Sequence, residues 1–166
     1  MNTEKLIDKM NEALGWELRA INMYAHYSAN IRGIHRLQLS PMFKVEVDES
    51  LVHADTIRNA IIKLGGVSVT ERHSEPILHT LDYTEMIRQS LKTEEQAAKV
   101  YGGLMEMLEE FDDKDLYDTV EQIYLAEVRS VEEPPLLIEY LDSDIAFNTR
   151  CEEILNMACA ICKVEC

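Results

Sequence analysis

The stretch that decides the fold is Leu14-Gly-Trp-Glu17-Leu-Arg-Ala-Ile-Asn-Met-Tyr24. Around it, apolar residues recur at three- and four-residue steps, which predicts an amphipathic helix from Thr3 to Arg32 that ends at Gly33. Glu17 interrupts the apolar stripe of this helix where the stripe should face a core. A lone ionised carboxylate there would cost several kcal/mol unless it were paired or bound to a cation.

A second copy of this pattern lies further along the chain. Residues 17–24 and 94–101 both read E-x-x-A-x-x-x-Y, and the copies start 77 residues apart, at 17 and 94. Glu94 interrupts the apolar stripe of its own segment as Glu17 does. Either glutamate taken alone is explained by an edge position or by protonation. The matched pair favours a shared cation between the two segments.

Further helices follow from the pattern of apolar residues and helix-terminating residues. Ser40 followed by Pro41 predicts the N-cap and first turn of a second helix, which runs to Gly65-Gly66. Residues 67–81 lack a helical period and are expected to form an extended crossover. Asp82 lies three residues before Glu85, which is the spacing of a capping box, and it begins a third helix that runs to about Phe111.

The last third of the chain is also expected to be helical. A fourth helix begins near Asp115, and Pro134-Pro135 should kink or stop it because proline lacks the N–H of a helix interior. A short fifth helix follows Asp144. We therefore predict an all-α fold, a four-helix bundle with one long crossover and a short C-terminal fifth helix. Residues 1–142 would form the bundle, and residues 143–166 a C-terminal segment that carries all the cysteines.

Composition and charge narrow the possible partners. The chain has 166 residues, 31 acidic and 16 basic side chains and a net charge of −15, so we expect cations and not nucleic acids as partners. It has no run of 18 apolar residues and no signal-peptide pattern, which predicts a cytoplasmic protein without a membrane span. Glycine and proline are sparse, at 6 and 4, which favours helices over sandwiches or barrels.

The 77-residue offset also relates the second and fourth helices. It pairs His53 with Ser130, and Ser50 with Glu127. Carboxylate-bridged two-metal sites in bundles use one Glu from each of two helices and a Glu-x-x-His pair from each of the other two. Each half of this chain therefore retains a different member of such a pair.

On these residues, positions 1 to about 142 resemble the bacterioferritins, within the ferritin-like family of diiron carboxylate proteins. The resemblance rests on Leu14–Tyr24, on His53-Ala-Asp55, on Met86–Glu94 and on Glu127. It implies that Glu17 and Glu94 are terminal iron ligands, His53 a nitrogen ligand and Glu127 a bridging carboxylate, and that these four residues form the catalytic site.

The resemblance also implies a function. Such proteins bind two ferrous ions, oxidise them with dioxygen or peroxide, and pass ferric iron to a mineral inside a hollow homo-oligomeric shell. Haem is not implied, because Leu51 occupies the position of the methionine that binds it in bacterioferritins.

Two departures from the family pattern bear on the metal site. Ser50 stands in place of the second bridging glutamate, and Ser130 in place of the second histidine. Glu46 and Glu49 lie roughly 20° and 40° from His53 around the helix, so either is a candidate replacement ligand. The competing interpretation is that both lie on a solvated face.

The cysteines Cys151, Cys159, Cys162 and Cys166 fall on one face of a C-terminal helix. One interpretation is that they pack as small apolar side chains. The other is that Cys159, Cys162 and Cys166 bind a soft metal, or that symmetry-related copies bring their thiols together.

Two functions remain open from the sequence. One is an iron-oxidising and iron-storing protein, an enzyme of the ferroxidase type if the altered dinuclear site turns over. The other is a bundle with a degenerate metal site that acts in binding or assembly through its cysteines.

Overall fold

The computed structural model of the chain describes the backbone of residues 3–162 and the side chains of residues 3–132 and 134–143. Four helices follow one another without a strand in this part of the chain. They are α1 Thr3–Asn30, α2 Arg36–Lys63, α3 Tyr83–Glu109 and α4 Lys114–Cys162. The most extensive packing joins α1 to α2 and α3 to α4, and α1 also packs against α3. The predicted all-α fold and four-helix bundle are confirmed.

The connections set the directions of the helices. Residues 31–35 and 110–113 form short links, so α1 and α2 are antiparallel, as are α3 and α4. Residues 64–82 form the long crossover, which carries the chain from the end of α2 back to the start of α3. No helix in the described part of the chain has the length and apolar character that crossing a bilayer requires.

The start of α3 confirms the predicted N-cap. Asp82 has extended backbone angles, and its side chain accepts a hydrogen bond from the backbone N–H of Glu85 at 3.1 Å. This contact satisfies a donor that the first turn of a helix leaves without a partner.

The predicted start of α2 is wrong. The helix begins at Arg36, because the chain turns back directly after Gly33, whose φ of 64° suits glycine. Ser40 and Pro41 therefore lie inside the helix. The Ser40 hydroxyl does not cap it and instead meets the hydroxyl of Ser28 on α1 at 2.9 Å, so the serine links two helices.

The fourth helix is longer than expected. It continues through Pro134-Pro135 to Cys162, so the prolines do not stop it. The described part of the C-terminal segment is helical, as predicted, and up to Cys162 it forms part of α4 without an intervening break. The proposed division at residue 142 stays a prediction. The cysteine side chains, and Cys166 as a whole, lie outside the described residues.

Two apolar clusters fill the bundle and leave a polar layer between them. One cluster includes Leu14 and Val100, and the other includes Ala20 and Ile87. Along α1, Glu17 lies between Leu14 and Ala20; along α3, Glu94 lies between Ile87 and Val100. The two acids of the sequence repeat therefore occupy the same level of the bundle.

Arg19 attaches the crossover to the bundle. It is only 1% exposed, and its guanidinium donates to the backbone oxygens of Glu75 at 3.1 Å and Pro76 at 2.8 Å. A third hydrogen bond, of 2.8 Å, goes to the Thr93 hydroxyl on α3. One buried cation thus connects α1, the crossover and α3 at the level of the polar layer.

Candidate metal centre

Each helix contributes one acidic or imidazole side chain to the polar layer. Glu17 comes from α1, His53 from α2, Glu94 from α3 and Glu127 from α4. The three glutamates are buried, at 2%, 6% and 5% exposure respectively. The structure thus brings together all four residues that the resemblance to bacterioferritins assigns to the site.

In three of these residues, the side-chain atoms that could bind a metal converge on one another. Nδ1 of His53 lies 2.7 Å from Oε1 of Glu127 and 3.4 Å from Oε1 of Glu17. One donor atom from each residue lies within 4.8 Å of the other two. Nδ1 is buried. Although both distances are short, it has no hydrogen bond of acceptable geometry. Nitrogen and oxygen atoms that converge in this way, without forming good hydrogen bonds to one another, are suited to bind a shared cation.

Burial and the neighbouring charges shift the pKa values of all four residues in the polar layer. Burial is the main cause that raises the pKa of Glu17, of Glu127 and, most strongly, of Glu94. Burial also disfavours the charged form of His53, but the contacts with Glu127 and Glu17 outweigh it and raise its pKa to about 10. A divalent cation would supply the positive charge that this layer otherwise takes from protons.

Glu94 lies beside this cluster. After burial, the charge of the nearby Glu127 is the next cause that raises the pKa of Glu94. Burial also raises the pKa of Glu127, but its contact with His53 lowers it in the opposite direction. The two glutamates therefore influence each other through their charges.

Two tyrosines that the sequence reasoning did not assign hold the glutamates. Tyr101 on α3 donates to Oε1 of Glu17 on α1 at 2.7 Å, and Tyr24 on α1 donates to Oε1 of Glu94 on α3. Each tyrosine of the repeat thus binds the glutamate of the other copy. The signal was present in the sequence, because the repeat includes the tyrosine as well as the glutamate.

Of the two serines that replace family ligands, only Ser130 borders open space. Ser50 is buried at 7% exposure, and Ser130 is half-buried. A cavity of about 30 Å³ touches Glu94, Ser130, Tyr24 and Glu46. That volume is enough for a water molecule or a single ion.

The candidate replacement ligands lie at different depths. Glu46 is half-buried and reaches both the small cavity and a larger pocket of about 750 Å³, whereas Glu49 is exposed and reaches only the larger one. Neither joins the converging cluster of Glu17, His53 and Glu127 among the described residues. The large pocket opens between α2 and α4 and is lined by Val45, Glu46, Asp48, Glu49, Val52, His53, Ala126, Arg129 and Ser130.

The other histidines lie outside this layer. His73 stacks on Trp16 with ring centroids 4.1 Å apart. His35 likewise contacts Tyr83. His26 and His79 contact each other, a pairing that no spacing within a single helix predicts.

Two solved structures have a fold similar to that of this chain. A solved structure of ferritin-like, diiron-carboxylate proteins from Bacillus anthracis strain Ames is similar, with a TM-score of 0.78 and 28% identity over 83% of this chain and 99% of that chain. A bacterioferritin-related protein from Bacteroides fragilis, described as a dodecameric thioferritin, has a TM-score of 0.75 and 23% identity over 91% of this chain and 92% of its own.

No curated protein sequence matches the chain. The family model of the ferritin-like domain matches residues 7–141, which is most of the chain. The chain therefore belongs to the ferritin-like domain family.

Proposed function

We propose that this protein takes ferrous iron as its substrate, oxidises it with dioxygen or peroxide within the bundle, and stores or detoxifies the ferric product. The observation that carries the proposal is the buried convergence of Glu17, His53 and Glu127 around an Nδ1 atom that has no good hydrogen bond. Carboxylate and imidazole ligands suit iron, and anionic carboxylates favour its higher oxidation state.

Glu17, His53 and Glu127 would hold a first ferrous ion. Glu94, which borders the small cavity, would hold a second one, and Glu127 would contribute to both positions. We propose Glu46 as the replacement ligand there, because it borders the same cavity as Glu94 and is less exposed than Glu49. Tyr101 and Tyr24 would hold the terminal carboxylates in position from behind.

The large pocket between α2 and α4 is the proposed entry for iron. Its wall carries Glu46, Asp48 and Glu49, and it reaches His53 at the edge of the polar layer. The net charge of −15 adds a long-range attraction for cations.

Assembly and location form part of the same proposal. Storage of a ferric mineral needs an enclosed space, so we propose a cytoplasmic homo-oligomeric shell. The Bacteroides fragilis relative is described as a dodecamer.

A second candidate is a bundle whose oxidase centre is degenerate and which binds one metal ion or none. Ser50 and Ser130 favour it, because serine hydroxyls are poor iron ligands and both stand where the family has stronger ones. In that case the protein would act in metal binding or assembly, with Cys159, Cys162 and Cys166 as the candidate thiolate ligands.

Anaerobic titration with ferrous salt, followed by oxygen, separates the two candidates. The first predicts about two ferrous ions per chain, as a two-metal site binds, and oxygen uptake on exposure to air. Glu94→Ala should abolish most of the oxidation, while Glu95→Ala, at an exposed position of the same helix, should leave it unchanged. Less than half an iron per chain without oxidation would refute the first candidate.

A further inference from the structure

The small cavity beside Glu94 extends beyond the polar layer. On each of three helices its wall includes at least one polar and one apolar residue. The polar residues are Glu46 on α2, Glu94 on α3 and Ser130 on α4. The apolar residues, in the same order, are Phe43, Ile87 and Leu137, and all three pack in the apolar cluster that includes Ala20. The cavity therefore leads from the candidate metal centre into that cluster.

The cavity has room for a small molecule as well as an ion. Ile87 and Glu94 lie seven residues apart on α3, so the cavity borders about 10 Å of that helix. Its volume is about 30 Å³, and a water-sized molecule needs roughly 10–15 Å³ of such accessible space. Two small occupants can therefore fit, one next to Glu94 and one next to Ile87.

The apolar part of the cavity offers little to a water molecule. Phe43 and Ile87 are almost completely buried, at 0% and 1% exposure, and neither has a polar side-chain atom. The hydroxyl of Ser90, which is also on the wall, already donates to the backbone oxygen of Met86 at 3.0 Å. A buried water needs about two to four polar partners, whereas an apolar cavity stays dry and takes up apolar gases.

We propose that the apolar part of the cavity, lined by Phe43, Ile87 and Leu137, binds dioxygen, the oxidant of the proposed function on which this inference rests. Dioxygen is small and uncharged, and it is more soluble in apolar surroundings than in water. The large pocket between α2 and α4 is instead lined by several charged residues, so it suits hydrated cations. Ferrous ions and dioxygen would therefore reach the centre by separate routes.

Xenon is a suitable probe of this cavity, because it is an apolar gas that binds without iron or oxidation. The NMR chemical shift of dissolved xenon should show saturable binding to the metal-free protein. Ser90→Leu places a larger apolar side chain against the cavity and should abolish the saturable shift. Ser143→Leu, the same change at an exposed position of α4, should retain it. Leu137→Ala enlarges the cavity and should increase the shift, which keeps the test decisive if Ser90→Leu does not fold.

Iron oxidation separates this proposal from the proposed function. In Ser90→Leu, anaerobic binding of ferrous iron should be as in the unaltered protein, and oxidation by dioxygen should be slower. Oxidation by hydrogen peroxide should be unchanged, because peroxide is polar and suits the large pocket.

Three results would overturn the proposal. They are a saturable xenon shift that persists in Ser90→Leu, a shift that Leu137→Ala leaves unchanged, and equal slowing of oxidation with both oxidants, which would mean that the substitution disturbs the metal centre itself. An unaltered protein that binds xenon but oxidises no ferrous iron would refute the proposed function, and the role of dioxygen with it.

Discussion

Tyr101 on α3 donates a hydrogen bond to Glu17 on α1 at 2.7 Å, although the two residues lie 84 positions apart in the chain. Tyr24 and Glu94 repeat the arrangement with the helices exchanged. Both bonds cross between the helices that carry the two copies of the sequence repeat. The carboxylates of the candidate metal centre are therefore oriented by the partner copy and not by their own.

Removal of one such bond should weaken the metal site without unfolding the bundle. Tyr101→Phe keeps the buried ring and deletes only the hydroxyl, so Glu17 loses the donor that orients it. We expect metal affinity or oxidation rate to fall about 10- to 100-fold, as for other partners of metal ligands. Anaerobic ferrous titration and oxygen uptake measure this. Tyr140→Phe, at a side chain that is 62% exposed, is the control and should behave as the unaltered protein does.

Neutralising a buried acid should stabilise the metal-free protein. Burial, with the nearby Glu127, raises the pKa of Glu94 well above its ordinary value. An acid with a raised folded-state pKa destabilises the fold at higher pH, and this penalty is absent below the unfolded value of 4.5. At neutral pH, Glu94→Gln should therefore raise the melting temperature of the metal-free protein, by about 2–4 °C for each kcal/mol gained.

The same variant should lose the stabilisation that iron provides, because the amide is a poorer ligand than the carboxylate. Melting curves with and without ferrous iron measure both effects, and Glu95→Gln serves as the exposed control. A lower melting temperature for metal-free Glu94→Gln would contradict the account of the buried charge.

Restoring a ligand that the family pattern contains should strengthen the site. Ser130 borders both the small cavity and the large pocket, so a larger side chain has room there. We expect Ser130→His to increase the iron bound per chain and to speed oxidation, most clearly together with Ser50→Glu. Iron analysis after anaerobic loading provides the measurement. Ser143→His places a histidine at an exposed position of the same helix and should change neither quantity.

Loss of the Arg19 guanidinium should release the crossover. Arg19→Met removes hydrogen bonds to Glu75, Pro76 and Thr93 and leaves their acceptors without that partner. We expect a loss of about 3 kcal/mol, since buried hydrogen bonds to a charged group contribute about 1.5–3 kcal/mol each and part is recovered by water. The melting temperature should fall by about 6–12 °C at this chain length.

Amide hydrogen exchange should locate that effect in residues 64–82. Arg72→Met is the matched control, because Arg72 also donates to the backbone oxygen of Glu75 but is exposed. Equal losses of stability in the two variants would mean that burial of Arg19 contributes nothing.

Much of the fold follows from the sequence because helices are local. The spacing of apolar side chains located all four helices, and Asp82 with Glu85 located the start of α3 correctly. The start of α2 was misplaced because Ser40 is equally suited to capping its own helix and to bonding with another. Only the packing of α1 against α2 brings Ser28 close enough to bind it.

The candidate site, like the fold, could be predicted only in part from the sequence. The repeat at 17 and 94 revealed two acids in apolar stripes, because each of these positions is set by the period of one helix. His53 and Glu127 were assigned through the resemblance to bacterioferritins. The sequence by itself therefore determined the four-helix architecture and the residues that face its interior.

Tertiary structure alone decided how those residues meet. Several contacts depend on how the helices and the crossover are placed relative to one another. They are the exchange of tyrosines between the two copies, the bonds from Arg19 to the crossover and to α3, the different depths of Glu46 and Glu49, and the pairing of His26 with His79. Helical periodicity predicts the face of the helix on which each side chain lies. It does not predict the axial shift between neighbouring helices or the path of an extended segment. Contacts between elements are set by packing of the whole core.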